Sequence, residues 1–501
     1  MDKFFANNKN KKFIYVLYAT IMVFGIGFMI TGSFHNALWF DETYTVGLIN
    51  HSFIDLIKIS TFDVHPYLYY ILLKIFTLIF GKSIVAMRIF SALGAVALAS
   101  VGFTHIRRDF GEKTGIYYTI ISFLMPVVFK YAQQIRMYTW VAYFLILACI
   151  YAYRYFKNPN KENFVKFILF SVLASYTHYF AFFASLLIDA MFFVYYLKHK
   201  ELKQKWLKII KYQLIFYSIG LAVLLLQLIR GGAAWISMQK DIYFEILAFN
   251  FVGDLSVDSG YSGRILYAIS FLSLCIFVLL GIFLYNLRKK SKERAEAPIL
   301  ALCVYFGVIF ATMLISIVKP VFYPRYMTVM VGIFIFVFAY ALGNLENKLK
   351  WFKYAFLVFL LVLSVLRASE IYKISYNETS NLAKEYAQTN IDENDIIITD
   401  EGLIFQFSVF SPKTLTCMYN SSDWDIQKPY NAFANEVKVA VRKEDLKECI
   451  SKGQNRIFVI NSKDCEEIVK ETGLYEFERR DNIFQTYYSC NFDIAVYKRI
   501  K

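Results

Sequence analysis

Apolar residues recur in blocks near 13–31, 84–104, 115–131, 138–155, 164–179, 180–197, 212–229, 264–286, 298–318, 326–343 and 354–368. A helix needs about 17 to 25 such residues to cross a bilayer, so the pattern predicts an α-helical polytopic membrane protein with about eleven crossings. One further apolar stretch, 67–80, is about 21 Å long as a helix, too short to cross comfortably. It reads as an interfacial helix on the outer surface, with His65-Pro66 at its start and Gly81 at its end. The block 163–197 leaves almost no loop at Tyr176-Thr177-His178-Tyr179, which predicts either a tight outer turn or a broken helix.

Beyond the last block the hydropathy drops. Residues 369–501 read as a small exocytoplasmic α/β domain, following a membrane domain at 1–368 whose first outer loop spans 32–83. Strand-like runs are expected at 395–399, 403–410, 436–441, 456–460 and 494–497, and helices around 382–387 and 443–450.

Composition supports the membrane reading: the chain is 57% hydrophobic and 19% aromatic, and that excess lies within the blocks. The formal net charge of +15 would suggest nucleic acid in a soluble protein. Here the Lys and Arg residues lie in short loops, and the eleven-span topology puts every strongly basic cluster on the side of the N-terminus, as the positive-inside bias demands. Counting 67–80 as a crossing would break that agreement. Lys3, Lys9, Lys11 and Lys12 precede the first block, which reads as a retained signal anchor in a multi-pass cell-membrane protein. Seven scattered cysteines show no zinc-ligand spacing, and one bridge among Cys417, Cys449, Cys465 and Cys490 stays open.

The same topology collects the polar motifs on the outer face. Asp41-Glu42 sits in the first outer loop after Trp39-Phe40, and Asp63-Val64-His65-Pro66 follows about twenty residues later. A partly shielded carboxylate there suits general-base chemistry on a hydroxyl or amine. In isolation such a pair reads as ordinary solvated surface; in this setting Asp41 is the expected base and Glu42 a group that holds substrate or orients a neighbour. Asp63 and His65 read as caps of the interfacial helix, as a pair in which Asp63 sets the tautomer of a His65 that donates to a phosphate or sugar hydroxyl, or as both together. Arg136 and Arg325 stand among aromatic residues at outer span ends, where the guanidinium fork suits a phosphate, and an interface anchor is the plainer alternative. His178 reads equally as packing or as a ligand. No nucleotide-binding loop, dinucleotide turn, zinc-protease motif or hydrolase elbow occurs, which argues against coupling to nucleotide hydrolysis.

Phe40-Asp41-Glu42, Asp63-Val64-His65-Pro66-Tyr67-Leu68-Tyr69-Tyr70, Phe80-Gly81-Lys82-Ser83 with Arg88, Arg136-Met137-Tyr138 and Thr177-His178-Tyr179-Phe180 together resemble the fold-C (GT-C) glycosyltransferases. The likeness is to relatives of protein O-mannosyltransferases and lipid A aminoarabinose transferases, and it is specific over roughly 35–185, with Tyr67 where a second proline is usual. It implies an inverting transfer of a sugar from a polyprenyl-phosphate carrier to an outer-face acceptor, which is a glycan, lipid, wall polymer or protein. Asp41 would be the base. Arg136, Arg325 and His178 would meet the leaving phosphate, and Tyr138, Asp63 and His65 would complete the binding set. The resemblance implies no catalytic metal, no cofactor beyond the donor lipid, and no nucleic-acid partner. A lipid-linked sugar transporter would instead show charged or broken segments deep in several spans and a pseudo-repeat, and a non-catalytic scaffold would depend only on its outer domain.

Overall fold

The computed structural model describes residues 8–200, 203–229, 242–253, 263–346, 349–400, 405–419 and 427–500. The chain forms two compact units, Met1–Ser33 with Arg88–Ser369, and Phe34–Met87 with Glu370–Lys501. This differs from a linear division at 368/369, because Phe34–Met87 belongs with the C-terminal residues.

In the first unit, nine helices among the described residues are long and apolar enough to cross a membrane, from Lys12–Ser33 through to Lys350–Ser375. The helices Glu112–Leu124 and Pro126–Ala132 together are long and apolar enough for a tenth, and they are bent by 58° at the break, the form of a broken span or a re-entrant loop. Pro126 cannot donate a backbone hydrogen bond to the turn before it, and it pushes Met125 into extended backbone. The expected crossing at 164–179 is only the 15-residue helix Lys161–Ser175. That is about 22 Å long, and the tight-turn alternative applies: His178 caps the next helix, Tyr179–Lys198. Pro324–Asn344 is the most enclosed candidate span, 94% buried. Small residues permit close approach elsewhere, as at Gly102, where a Cβ would collide with Thr119 Oγ1 and the Gly115 carbonyl.

The second unit is built on a six-stranded sheet of order β3-β2-β1-β4-β6-β5. Its strands are β1 Ile396–Thr399, β2 Leu415–Tyr419, β3 Val437–Ala440, β4 Arg456–Ile460, β5 Tyr475–Gln485 and β6 Cys490–Arg499. β3, β2, β1 and β4 are parallel, while β6 and β5 add antiparallel. Alternation sends Ile396 and Ile398 into one core with Leu446, Val459 and Tyr497, and Ile397 into another with Ala387, Phe407 and Phe458. The sheet is thus covered on both faces, as a parallel sheet requires. Cys417 on β2 is bonded to Cys449 on the helix Lys443–Ser451, which settles the pairing left open by the spacing.

One expected strand is corrected. Within 403–410 the described part forms the helix Gln406–Phe410, which packs as a crossover on the sheet, and 403–404 lie outside the described residues. Three helices of the first loop, Phe40–Asn50, Phe53–Ser60 and Leu68–Phe80, join this unit. Phe433 stacks on Phe405 and lies 5.6 Å from the Phe40 ring and 5.7 Å from the Tyr44 ring. A Cβ at Gly47 would strike the Ala432 carbonyl, so glycine permits this contact.

Candidate active site

In the second unit, Trp39 is the N-cap of the helix Phe40–Asn50, and Asp41 and Glu42 fill its first turn. The acidic pair therefore starts a helix instead of lying in an open loop, at the end where backbone N–H groups and the helix dipole favour anionic side chains. The two carboxylates are treated differently. Glu42 is completely buried and accepts a hydrogen bond from Tyr487 Oη at 3.2 Å. Asp41 remains partly exposed. One carboxylate is thus held by a neighbouring phenol and the other is reachable.

The turn that delivers Tyr487 is unusual. Tyr488 and Ser489 take positive φ values of 60° and 47°, a region that costs a non-glycine residue roughly 1–2 kcal/mol. Its contacts compensate: Tyr488 lies flat on Trp39, with centroids 4.7 Å apart and planes at 7°, and Tyr487 packs 5.1 Å from the His35 ring. Removing a hydrogen bond to a charged partner typically costs about 1.5–3 kcal/mol. Tyr487→Phe is therefore expected to slow any reaction in which this acidic pair takes part by roughly tenfold or more, with substrate affinity little changed. Steady-state kinetics check this, and a wild-type rate would show that Glu42 needs no partner.

Asp63 and His65 belong to the same unit, and His65 Nδ1 is 3.9 Å from Asp63 Oδ2, beyond hydrogen-bond reach. Tyr70 Oη donates to Asp63 Oδ2 at 3.4 Å instead. Neither residue caps the surface helix, which spans Leu68–Phe80 with Tyr67 as an N-cap lacking a side-chain bond. That helix is fixed by its lysine: Lys74 is buried and donates to the carbonyls of Ile49, at 2.8 Å, and His51. It thereby satisfies the C-terminal end of Phe40–Asn50. The opposite face exposes Leu78, Ile79 and Phe80, as the interfacial reading requires.

In the first unit the cationic candidates gather around His178. Arg136 lies in the irregular stretch between Pro126–Ala132 and Tyr138–Lys157 and is 3% exposed. Ser91 Oγ donates to the Arg136 carbonyl at 3.4 Å, and Thr139 Oγ1 to the Ser91 carbonyl at 2.6 Å, which pins this stretch to the helix Ile84–Val101. His178 Nδ1 accepts from the Phe180 amide at 3.2 Å, so the ring proton sits on Nε2 and that nitrogen is a donor. Its ring lies 5.9 Å from Tyr138 and 5.0 Å from Tyr326, which brings three distant segments together. Burial first, then the guanidinium groups of Arg136 and Arg325, push the imidazole down to about 3. His178 is therefore a neutral donor at physiological pH. Arg325, in the 3-10 turn Pro324–Met330, lies 4.7 Å from the Tyr323 ring.

Three further buried cations lie in the first unit. Arg88 is wholly enclosed, Lys130 is 4% exposed and Arg367 is 5% exposed. Lys130 and Arg367 both flank Gly253, which follows the helix Ile242–Val252, where the dipole favours positive charge. A single basic residue within an apolar run was the available signal for Lys130 and Arg367. Among the described residues, no group of three or more His, Cys, Asp or Glu is placed to hold a metal ion.

Residues 64–229 match the family model described as dolichyl-phosphate-mannose-protein mannosyltransferase. No protein of curated function matches the chain in sequence. Among solved structures, ArnT from Cupriavidus metallidurans in the apo state aligns with a TM-score of 0.61 at 11% identity, covering 97% of this chain and 98% of that one. ArnT from Cupriavidus metallidurans bound to undecaprenyl phosphate aligns with a TM-score of 0.50 at 11% identity, over 96% and 97% of the two chains. The helical bundle and the small C-terminal sheet domain thus share the fold of ArnT, and residues 64–229 match a mannosyltransferase family model.

Proposed function

We propose that this protein is an inverting glycosyltransferase that moves a sugar from a polyprenyl-phosphate carrier to an acceptor on the outer face of the membrane. The observation that carries the reading is the unequal carboxylate pair, Glu42 buried under Tyr487 and Asp41 reachable beside it, in a chain with the fold of an undecaprenyl-phosphate-binding protein. Asp41 takes the proton of the acceptor hydroxyl or amine as that atom attacks the anomeric carbon. The bond from that carbon to the phosphate oxygen breaks, and its electron pair leaves with the phosphate. Arg136 and Arg325 meet the developing charge, and His178 donates through Nε2–H. Lys130 and Arg367 add positive charge to the same unit.

The outer-face assignment draws on two independent supports. The basic loops gather at the opposite ends of the spans, and the Cys417–Cys449 bond belongs to an oxidising compartment.

The test supplies radiolabelled polyprenyl-phosphate sugars to membranes containing the protein, with and without EDTA, and follows label into lipid, polymer and protein fractions. Transfer that survives the chelator is the expected result, because the charge on the leaving group is met by guanidinium groups. The labelled fraction identifies the acceptor class. Label that crosses the membrane still attached to its carrier would replace this reading with transport, and loss of transfer in EDTA would require a metal.

A further inference from the structure

The first unit contains a cavity of about 540 Å³ that plays no part in the chemistry above. Its walls come from the helices Tyr138–Lys157, Tyr179–Lys198, Lys292–Val318 and Val331–Asn344. These are partly the same helices whose other ends carry Tyr138, His178 and Arg325. The lining begins at Ile146 on the first helix and at Leu187 on the second. At 1.5 Å per residue, Tyr153 lies roughly 22 Å along its helix from Tyr138. The cavity therefore belongs to the basic-loop end of the bundle. Its size falls within the range of sites that enclose small organic ligands.

The lining is ordered like a lipid. Ile150, Met191 and Leu300 represent a wall that is apolar almost throughout, while Tyr153, Tyr195, Lys198 and Glu296 stand at one end. Glu296 is neutralised by Lys157, whose ammonium also sits 5.6 Å from the Tyr153 ring. Lys198 lies exposed at the end of its helix. With the Lys157–Glu296 pair cancelled, the polar end carries one net positive charge and two phenol groups. Hydrocarbon fits the depth, and an anion fits the end.

We infer that this cavity binds an anionic glycerophospholipid of the leaflet at the basic-loop end, one acyl chain between the four helices and its phosphate at Lys198. Basic pockets between spans on that side suit such headgroups. The assignment shares the proposed membrane orientation but does not depend on glycosyl transfer.

Native mass spectrometry of the detergent-purified full chain, offered phosphatidylglycerol, phosphatidylcholine or undecaprenyl phosphate, tests it. Wild type is expected to retain one phosphatidylglycerol with about fivefold preference over phosphatidylcholine, the order of magnitude that one lysine near a phosphate supplies. Lys198→Gln should erase the preference while keeping lipid. Ala301→Trp, which fills the cavity from the Lys292–Val318 helix, should lose the lipid, and Met191→Trp provides a second filling variant should Ala301→Trp melt early. Equal retention of the two phospholipids by wild type, or full retention by a folded filling variant, overturns the proposal. Displacement of phosphatidylglycerol by undecaprenyl phosphate in an Arg136→Ala background also overturns it, by giving the cavity to the donor's tail. Each result is read without any measurement of transfer, so failure here leaves the glycosyltransferase reading untouched.

Discussion

Asp41→Asn is expected to lower the rate of sugar transfer by about 10²- to 10⁴-fold, the usual worth of a positioned general base. Asn is nearly isosteric and still suits the first turn of Phe40–Asn50, so folding and carrier binding should survive. The loss should fall on kcat, since proton removal from the acceptor belongs to the transition state and not to binding. Glu42→Gln provides the contrast. An amide oxygen can still accept from Tyr487 Oη, so this variant should lose far less than Asp41→Asn. Initial rates at saturating donor, with carrier affinity measured separately, distinguish the two. If Asp41→Asn kept more than a tenth of the wild-type rate, or if Glu42→Gln were the more damaged enzyme, the assignment of base and orienting residue would be wrong.

Arg136→Ala is the second large effect, with an expected loss of about 10²- to 10³-fold in kcat, comparable to deleting one preorganised donor to a developing anion. Arg136 is 3% exposed, so its charge acts with little screening by water. Arg136→Lys should recover only part of the rate, because an ammonium cannot reproduce the planar fork that meets two oxygens at once. Carrier affinity should weaken as well, since the proposed reaction leaves a bare phosphate-terminated lipid as product. Binding of undecaprenyl phosphate and single-turnover rates measure the two effects separately. A variant that binds the carrier normally and turns over normally would move the phosphate elsewhere, with Lys130 and Arg367 the next residues to replace.

The membrane architecture was readable from the chain because its signal is local. Seventeen or more apolar residues between basic loops specify a helix whatever surrounds them. The same local reasoning separated the short helix Leu68–Phe80 from the spans, and the structure gives it one buried face and one exposed apolar face. The Lys161–Ser175 helix is not specified by this local signal. Apolar content alone did not reveal that a three-residue turn would end it early. The C-terminal sheet was harder for two reasons. β5 is an edge strand with Glu476, Glu478, Arg479 and Arg480 along it, a device that protects edges and hides the alternation of a strand. β2, buried in the middle of the sheet, carries no turn signature that marks it out.

The candidate site was only partly legible. Asp41, Glu42, Arg136 and His178 stood out as polar groups beside apolar blocks, and the structure places the last two near one another through Tyr138 and Tyr326. Tyr487 was invisible, because a bond across 445 residues leaves no mark in spacing. Lys130 and Arg367 were absorbed into spans, where one charge scarcely lowers the average hydropathy. The Asp63–His65 contact shows the opposite failure: closeness in sequence suggested a bond that the 3.9 Å separation does not make.

The partition of the chain at 33/34, 87/88 and 369/370 sets a rule for building hybrids. A chimera that exchanges only the last 130 or so residues for those of a relative would leave Glu42 facing a foreign turn and Trp39 without its flat partner. A graft intended to redirect the enzyme to a new acceptor therefore has to carry 34–87 together with 370–501 as one cassette.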